Sequence, residues 1–293
     1  MIPTFALHRP TTSIEVIELR RELEGEAALL CGGTELLLIM KLGLADYPHL
    51  IDLKRVPELT GIEEVDGSLR IGAASTHRQI ERSPLVKQGW PQLAELERSV
   101  ANVRVRNVGS IGGNLCFADP HSDPATFLTA CDATVTVLGP GGERTLPIAE
   151  FTLGMYETAL GEDELLTAVT VPRPAQSSGF AHRKMCLTER PAVTTSVQVR
   201  TDGEAITGSS VVVGSVGGRP TRIAEAEEQL LGGRAADLEP TRLASAAEAA
   251  AQGTEPSGDG VVSADYKRQL VRVLTERTVQ DAARRAAGLA PTN

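Results

Sequence analysis

Residues 29–36 read LLCGGTEL, an apolar run broken by two adjacent glycines before LLLIMK resumes at position 36. The preceding EAALLC is short and apolar, suited to a buried strand. The following TELLLIMKLG has helical length and carries the strong helix formers Leu, Met and Lys. The stretch is therefore a strand-to-helix turn built on Gly32-Gly33. Glycine in such a turn lets backbone N–H groups face inward and removes the Cβ that would keep an anion away. A helix N-terminus just beyond adds a favourable dipole, and Thr34 adds a hydroxyl. Taken alone, the pair reads first as a tight turn.

The chain around it has 293 residues, a length that suits two domains of about 150 residues or one large one. Hydrophobic content is 41% and charged content 23%, both ordinary for a globular protein. Aromatic residues are only 3%, so aliphatic side chains and alanine must fill the core. A formal charge of −9 disfavours nucleic acid as a partner. The best apolar stretch, LLLIM at 36–40, is far short of a membrane span. MIPTFALHRP lacks the basic and apolar regions of a signal peptide, which points to the cytoplasm. Cys31, Cys116, Cys131 and Cys186 form no C-x-x-C pair and are expected to be free thiols.

Upstream, Thr12 and Glu15 read as a capping box ahead of a helix over IEVIELRREL. Downstream, HLIDL is a strand candidate, and IEEV and LRIGAAS flank Asp66-Gly67 as a hairpin. Ser75–Ser83 and Trp90–Arg98 read as short helices. VRNVGSIGGNLCFADPHSDP is the most punctuated stretch of the chain, followed by a helix over Asp123–Ala130. TVTVL and RTLPI form a second hairpin, LLTAVTVP is a strand, and the prolines at 172 and 174 mark a linker. Beyond it, FAHRKMCL, VTTSVQVRT and AITGSSVVVGSV alternate apolar and polar residues, as in an antiparallel sheet of about three strands. IAEAEEQLL, RLASAAEAAA and ADYKRQLVRVLTERTVQDAARRA are helical patterns, with QGTEPSGDG as a loop.

The chain carries no G-x-x-x-x-G-K-[ST], H-E-x-x-H, G-x-S-x-G or strict G-x-G-x-x-G motif. No residue is assigned a catalytic or metal-ligating role. The five histidines are scattered, and His121 within DPHSD is the one closest to other polar signals. SIGGN at 110–114 repeats the Gly-Gly device, and Asp123 follows nine residues after Asn114. Two anion cradles and a carboxylate suit a dinucleotide, with the cradles for its phosphates and the aspartate for a sugar hydroxyl.

The order LLCGGTELLLIMK, HLIDLKRVPEL, LRIGAASTHRQIE, VRNVGSIGGNLCFADPHSDP, ELLTAVTVP and AEAEEQLL resembles the FAD-binding medium subunit of the molybdenum hydroxylases over essentially the whole chain. That resemblance implies an α+β fold. A FAD-binding domain would span residues 1–173, with a small subdomain over about 1–55, a larger one over about 56–173, and FAD between them. A C-terminal flavoprotein domain would span 178–288, with a three-stranded antiparallel sheet and a helical bundle. By the same resemblance the cofactor lies on Leu29, Leu30, Cys31, Gly32, Gly33, Thr34, Glu35 and Leu36. From the other side it meets Ser110, Ile111, Gly112, Gly113 and Asn114, with Asp123 bonding it. Counting from the motifs adds Val100, Leu166 and Lys184. Val100 reads equally as core and Lys184 as a surface lysine.

The resemblance further implies partners: a small 2Fe-2S subunit and a large molybdopterin-binding subunit in a dimer of heterotrimers. Electrons would arrive through 2Fe-2S clusters and leave reduced FAD for an external electron acceptor. No inserted cysteine-bearing loop interrupts Asp119–Asp132, so no 4Fe-4S cluster is expected. Cys31 stands where alanine is common in the family and is expected to be structural. Gly33→Val is expected to lose FAD with the fold retained. Two other readings stay open: a non-catalytic nucleotide-binding or assembly module, and a stand-alone flavin oxidoreductase.

Overall fold

A computed structural model describes residues 3–187, 189–258 and 261–291. It opens with β1 (Ala6–His8), α1 (Ser13–Glu22), β2 (Ala27–Leu30), α2 (Leu36–Lys41) and β3 (His49–Asp52). The strands pair in parallel, in the order β1-β3-β2, because α1 and α2 serve as the crossovers. Thr12 caps α1 by accepting from the Glu15 amide at 3.2 Å. The expected box is not closed: the Glu15 carboxylate accepts from the Thr11 amide at 2.6 Å instead of the Thr12 amide. Helix α2 is six residues long, shorter than its pattern. Gly43 at φ 72 stops it, with Gly43 N donating to Met40 O and Leu44 N to Ile39 O in a Schellman ending.

The next unit is an antiparallel five-stranded sheet. β4 (Ile62–Val65) and β5 (Ser68–Gly72) turn at Asp66-Gly67, both at positive φ. Six helices follow: α3 (His77–Arg82), α4 (Pro84–Gly89), α5 (Pro91–Ser99), α6 (Val103–Val108), α7 (Ile111–Phe117) and α8 (Asp123–Ala130). Then come β6 (Thr134–Gly139), β7 (Gly142–Pro147), α9 (Ile148–Phe151), the small hairpin β8 (Thr152–Gly154) and β9 (Glu157–Thr158), and β10 (Leu165–Pro172). The sheet order is β4-β5-β10-β6-β7, and Leu69, Ile71, Val135, Val169, Leu93 and Phe127 fill the core beneath it.

The punctuated stretch before Asp123 holds two helices where the sequence suggests only loop. Valine and glycine are poor helix formers, and the caps decide the matter instead. Asn102 accepts from the amides of Arg104 and Val105, and Ser110 accepts from that of Gly113.

The final unit has β11 (Ser178–Cys186), β12 (Pro191–Asp202), β13 (Ala205–Gly214) and β14 (Thr221–Arg222) in sequential order, then α10 (Ala224–Leu230), α11 (Pro240–Gln252) and α12 (Ala264–Ala286). The sheet has four strands, one more than expected, because two residues of β14 pair with Val212 and Val213. The alternation in β12 does not mark a wet face. Thr194, Thr195 and Ser196 are all fully buried, because α8 covers one side of the sheet and α12 the other. Their hydroxyls find partners across those contacts, Thr195 with Thr278 at 2.6 Å and Thr194 with Thr126 at 3.2 Å.

Helix α12 meets β11 at backbone distance. A Cβ on Gly179 would lie 2.0 Å from Ala282 O and 2.3 Å from Ala286 N. Gly179→Ala is therefore expected to lower stability by about 2–3 kcal/mol, seen as a fall in Tm with secondary structure retained.

Candidate cofactor site

The loop between β2 and α2 is open where a helix start would normally be capped. Among the described residues, the backbone amides of Gly32, Gly33, Thr34 and Glu35 donate no hydrogen bond within the protein. Glu35, the N-cap residue, makes no side-chain cap. Four consecutive free donors at the head of a helix form a cradle for an anion. Gly33 adopts φ +69, which glycine takes without strain. A β-branched residue there strains the backbone itself, so Gly33→Val tests the fold as well as the cradle.

Gly32 is glycine for a reason internal to the chain. A Cβ on it would lie 2.2 Å from Val108 O and 2.7 Å from Gly109 Cα. The first loop thus rests on the backbone leading into Ser110, and the two Gly-Gly segments are neighbours in space. Cys31 lies in this contact. Burial pushes its thiol up, which the Ser110 hydroxyl beside it only partly offsets. A thiol held protonated is structural, not a nucleophile.

The second segment is built differently from the first. Ile111 N donates to Ser75 O at 3.0 Å, Gly112 N to Ala73 O at 2.8 Å, and Gly113 N to Ser110 Oγ at 3.1 Å. Its amides are spent, so it does not form a second cradle of free N–H groups. Gly112 is required by Ala73, whose Cβ and O would both be 2.6 Å from an added Cβ. Gly113 is exposed and offers a smooth surface. Asn114 is fixed by its Oδ1, which accepts from Ser122 Oγ at 2.6 Å. Ser122 in turn caps α8 through the Ala125 amide at 3.1 Å, and this places Asp123 in the first turn.

Asp123 is buried and faces charge from β11. Lys184 Nζ donates to its Oδ2 at 2.5 Å and to Ser99 O at 2.8 Å. The Oδ1 atom has no hydrogen-bond partner, and neither has His182 Nε2, which lies 3.7 Å from it. His182 Nδ1 is anchored on Ser196 Oγ at 2.8 Å. Burial alone would raise the Asp123 pKa. His182 and Lys184 outweigh it and hold the carboxyl below its ordinary value. Val100, next to Ser99, is buried at the end of α5. Leu166 is buried on β10 within the large core, and α7 packs on that strand.

A second charge group spans the mouth of the site. Arg190 pairs with Asp119 and lies 3.6 Å from Glu35 of the first loop. His121 Nδ1 is 2.8 Å from Asp119 Oδ1. Burial pushes Glu35 up; Arg190 counters this and Asp119 reinforces it. His121 is thus an orienting partner of Asp119. Among the described residues, no group of three or more His, Cys, Asp or Glu side chains is placed to hold a metal ion.

His182, Ser122 and Arg190 are missing from the residues picked out by sequence. His182 could have been found, since on a strand it shares a face with Lys184 two residues on. Ser122 is an N-cap one residue before a predicted helix start. Arg190 carries no such signal.

The site is thus a cradle of free amides beside a buried carboxylate, a lysine and a histidine, assembled from all three sheet units. That donor set fits a large anionic cofactor with polar groups at depth. Comparison with known proteins agrees. Residues 3–174 match the family model for the FAD binding domain in molybdopterin dehydrogenase, and residues 188–282 that for the CO dehydrogenase flavoprotein C-terminal domain. The carbon monoxide dehydrogenase medium chain of Hydrogenophaga pseudoflava is 34% identical over 97% of this chain and 99% of its own. The xanthine dehydrogenase FAD-binding subunit of Escherichia coli O157:H7 is 29% identical over 96% and 97%. Among solved structures, carbon monoxide dehydrogenase from Hydrogenophaga pseudoflava superposes with a TM-score of 0.93 at 33% identity, covering 98% of this chain and 99% of that one. Quinoline 2-oxidoreductase from Pseudomonas putida 86 superposes at 0.92 with 28% identity over 98% and 99%. The chain therefore belongs to the family of FAD-binding medium subunits of the molybdenum hydroxylases.

Proposed function

We propose that this chain holds FAD between the 29–36 loop and the 110–123 segment and serves as the electron-transfer flavoprotein of a molybdenum hydroxylase. The carrying observation is the row of four free amides at Gly32–Glu35 abutting the segment that positions Asp123. FAD, when bound, would supply the redox chemistry that connects a molybdenum site, through 2Fe-2S clusters, with an external acceptor.

The residues of this chain bind and orient. Leu29, Leu30 and Cys31 set the strand end, Gly32, Gly33, Thr34 and Glu35 offer amides to phosphate oxygens, and Leu36 opens the helix behind them. Ser110, Ile111, Gly112, Gly113 and Asn114 form the opposite wall, which works by close approach and not by free donors. Asp123 and Lys184 supply a carboxylate and an ammonium at depth, while Val100 and Leu166 back them with apolar surface. The units would be residues 1–173, which carry most of the cofactor walls, and 178–288, which adds Lys184 and serves closure and docking. Partners would be a small 2Fe-2S subunit and a large molybdopterin-binding subunit, in a dimer of heterotrimers in the cytoplasm. No helix among the described residues is long and apolar enough to cross a membrane.

The reading is tested by purifying the co-expressed complex and counting flavin, iron and molybdenum together. A flavin spectrum that bleaches with dithionite is expected; a folded complex without flavin would refute it. The isolated subunit is expected to hold no iron, and about four irons per chain would overturn that part.

Lys184→Met removes one of the two groups that face the Asp123 carboxylate. A loss of about 2 kcal/mol is expected from the calorimetric Tm, together with a severalfold drop in retained FAD. Unchanged flavin content would remove Lys184 from the site.

The pH dependence has a definite sign. A carboxyl held low in the folded state stabilises above its unfolded pKa and loses that contribution as pH falls through the folded value. The Tm advantage of the native chain over Asp123→Asn should therefore be present at about pH 5 and shrink as pH falls below the ordinary value of about 3.9. A difference that disappeared near neutrality would contradict the lowered Asp123 pKa.

A further inference from the structure

We propose that the cleft at the other end of α8 binds a single-ring aromatic carboxylate. The cleft has a volume of about 190 Å³ and lies between α5 and α8 on one side and β11 and β12 on the other, with the 173–175 linker along its edge. Asp123 opens α8 and Cys131 follows its last residue. Eight residues at about 1.5 Å each separate the two sites by about 12 Å. The cleft is therefore distinct from the cofactor site, and the inference does not rest on the FAD reading.

Three aromatic rings, Trp90, Phe127 and Phe180, line the cleft, in a chain with only 3% aromatic residues. Phe127 and Phe180 are in contact, with centroids 4.2 Å apart. A dry cavity of about 150 Å³ with apolar walls accepts benzene, so the volume here suits one ring and a small substituent. Clefts between domains are common places for such sites.

The charges fix the substituent. Three ionised groups line the cleft: Arg173, Arg200 and Asp132. Arg173 stacks over Trp90 at 4.8 Å and is neutralised by Glu64 at 2.6 Å. Asp132 pairs with Arg222 at 2.8 Å, a guanidinium it shares with Glu227 at 2.7 Å. Arg200 is half-buried and has no carboxylate partner among the described residues; its Nη1 donates to Gln198 Oε1 at 3.3 Å. The cleft therefore carries, at an aromatic wall, one guanidinium that no carboxylate among the described residues engages. A carboxylate can accept two parallel N–H bonds from such a fork while its ring enters the apolar part. Because the walls come from both halves of the chain and the linker, an occupant would also brace the two halves against each other.

Trp90 is the single tryptophan of the chain, so its emission reports on this cleft alone. Benzoate is titrated into the purified full-length chain and followed by Trp90 emission and by calorimetry. A saturable change with one site per chain is expected, and benzamide, of the same shape but neutral, should bind roughly tenfold or more weakly. Arg200→Gln should bring benzoate down to the affinity of benzamide and leave benzamide and the flavin spectrum unchanged. No saturable benzoate signal, or equal affinity for benzoate and benzamide, would overturn the proposal. The comparison of the two ligands on the native chain decides the matter even where the Arg200 variant fails to fold.

Discussion

The contact on which the rest of the site depends is the backbone crossing of Gly32 over Val108 and Gly109. At a distance that admits no Cβ, it joins the small parallel unit to the helical segment of the larger one. Through it the free amides of the first loop come to face the Ser110 cap, and through Asn114 and Ser122 the same segment positions Asp123. A side chain at position 32 would push the two walls apart, and each wall would keep its local structure while the site lost its shape.

Helix α8 is the second organising element. All eight of its residues are buried, because it is covered by α5 on one side and by β12 and β13 on the other. Thr126 and Thr129 remain tolerable there by bonding back to Ser122 O and Ala125 O. One end of the helix presents Asp123 to Lys184 and His182, and the other borders the aromatic cleft. Through β11 and Arg190 the C-terminal half thus contributes side chains to the candidate site, more than a cover over residues placed elsewhere.

Much of the element order was legible because it rests on local signals. The strand ending at Leu30, the Asp66-Gly67 hairpin, the helix from Asp123 and the long final helix each follow from periodicity or turn chemistry over a few residues. Helices α6 and α7 were not legible, since VRVRNV and IGGNLCF have poor intrinsic propensity and are held by Asn102, Ser110 and tertiary contact. The alternation of β12 marks an antiparallel strand, and only packing by α8 and α12 shows that both its faces are dry.

By itself the sequence determined that this is an α+β chain with two Gly-Gly segments, an aspartate on a helix start and no acid–base or metal motif, and motif order carried the family. The tertiary structure decided why each glycine is there. Gly33 sits at φ +69 beside open amides, with the side chains of Leu30 and Leu37 where a Cβ would lie, whereas Gly32 and Gly112 are packed on other backbone and the amides of 111–113 are already spent. Identical Gly-Gly pairs thus do different work. The reason is physical: a glycine in sequence specifies only a missing side chain, and what occupies that space is set by segments distant along the chain.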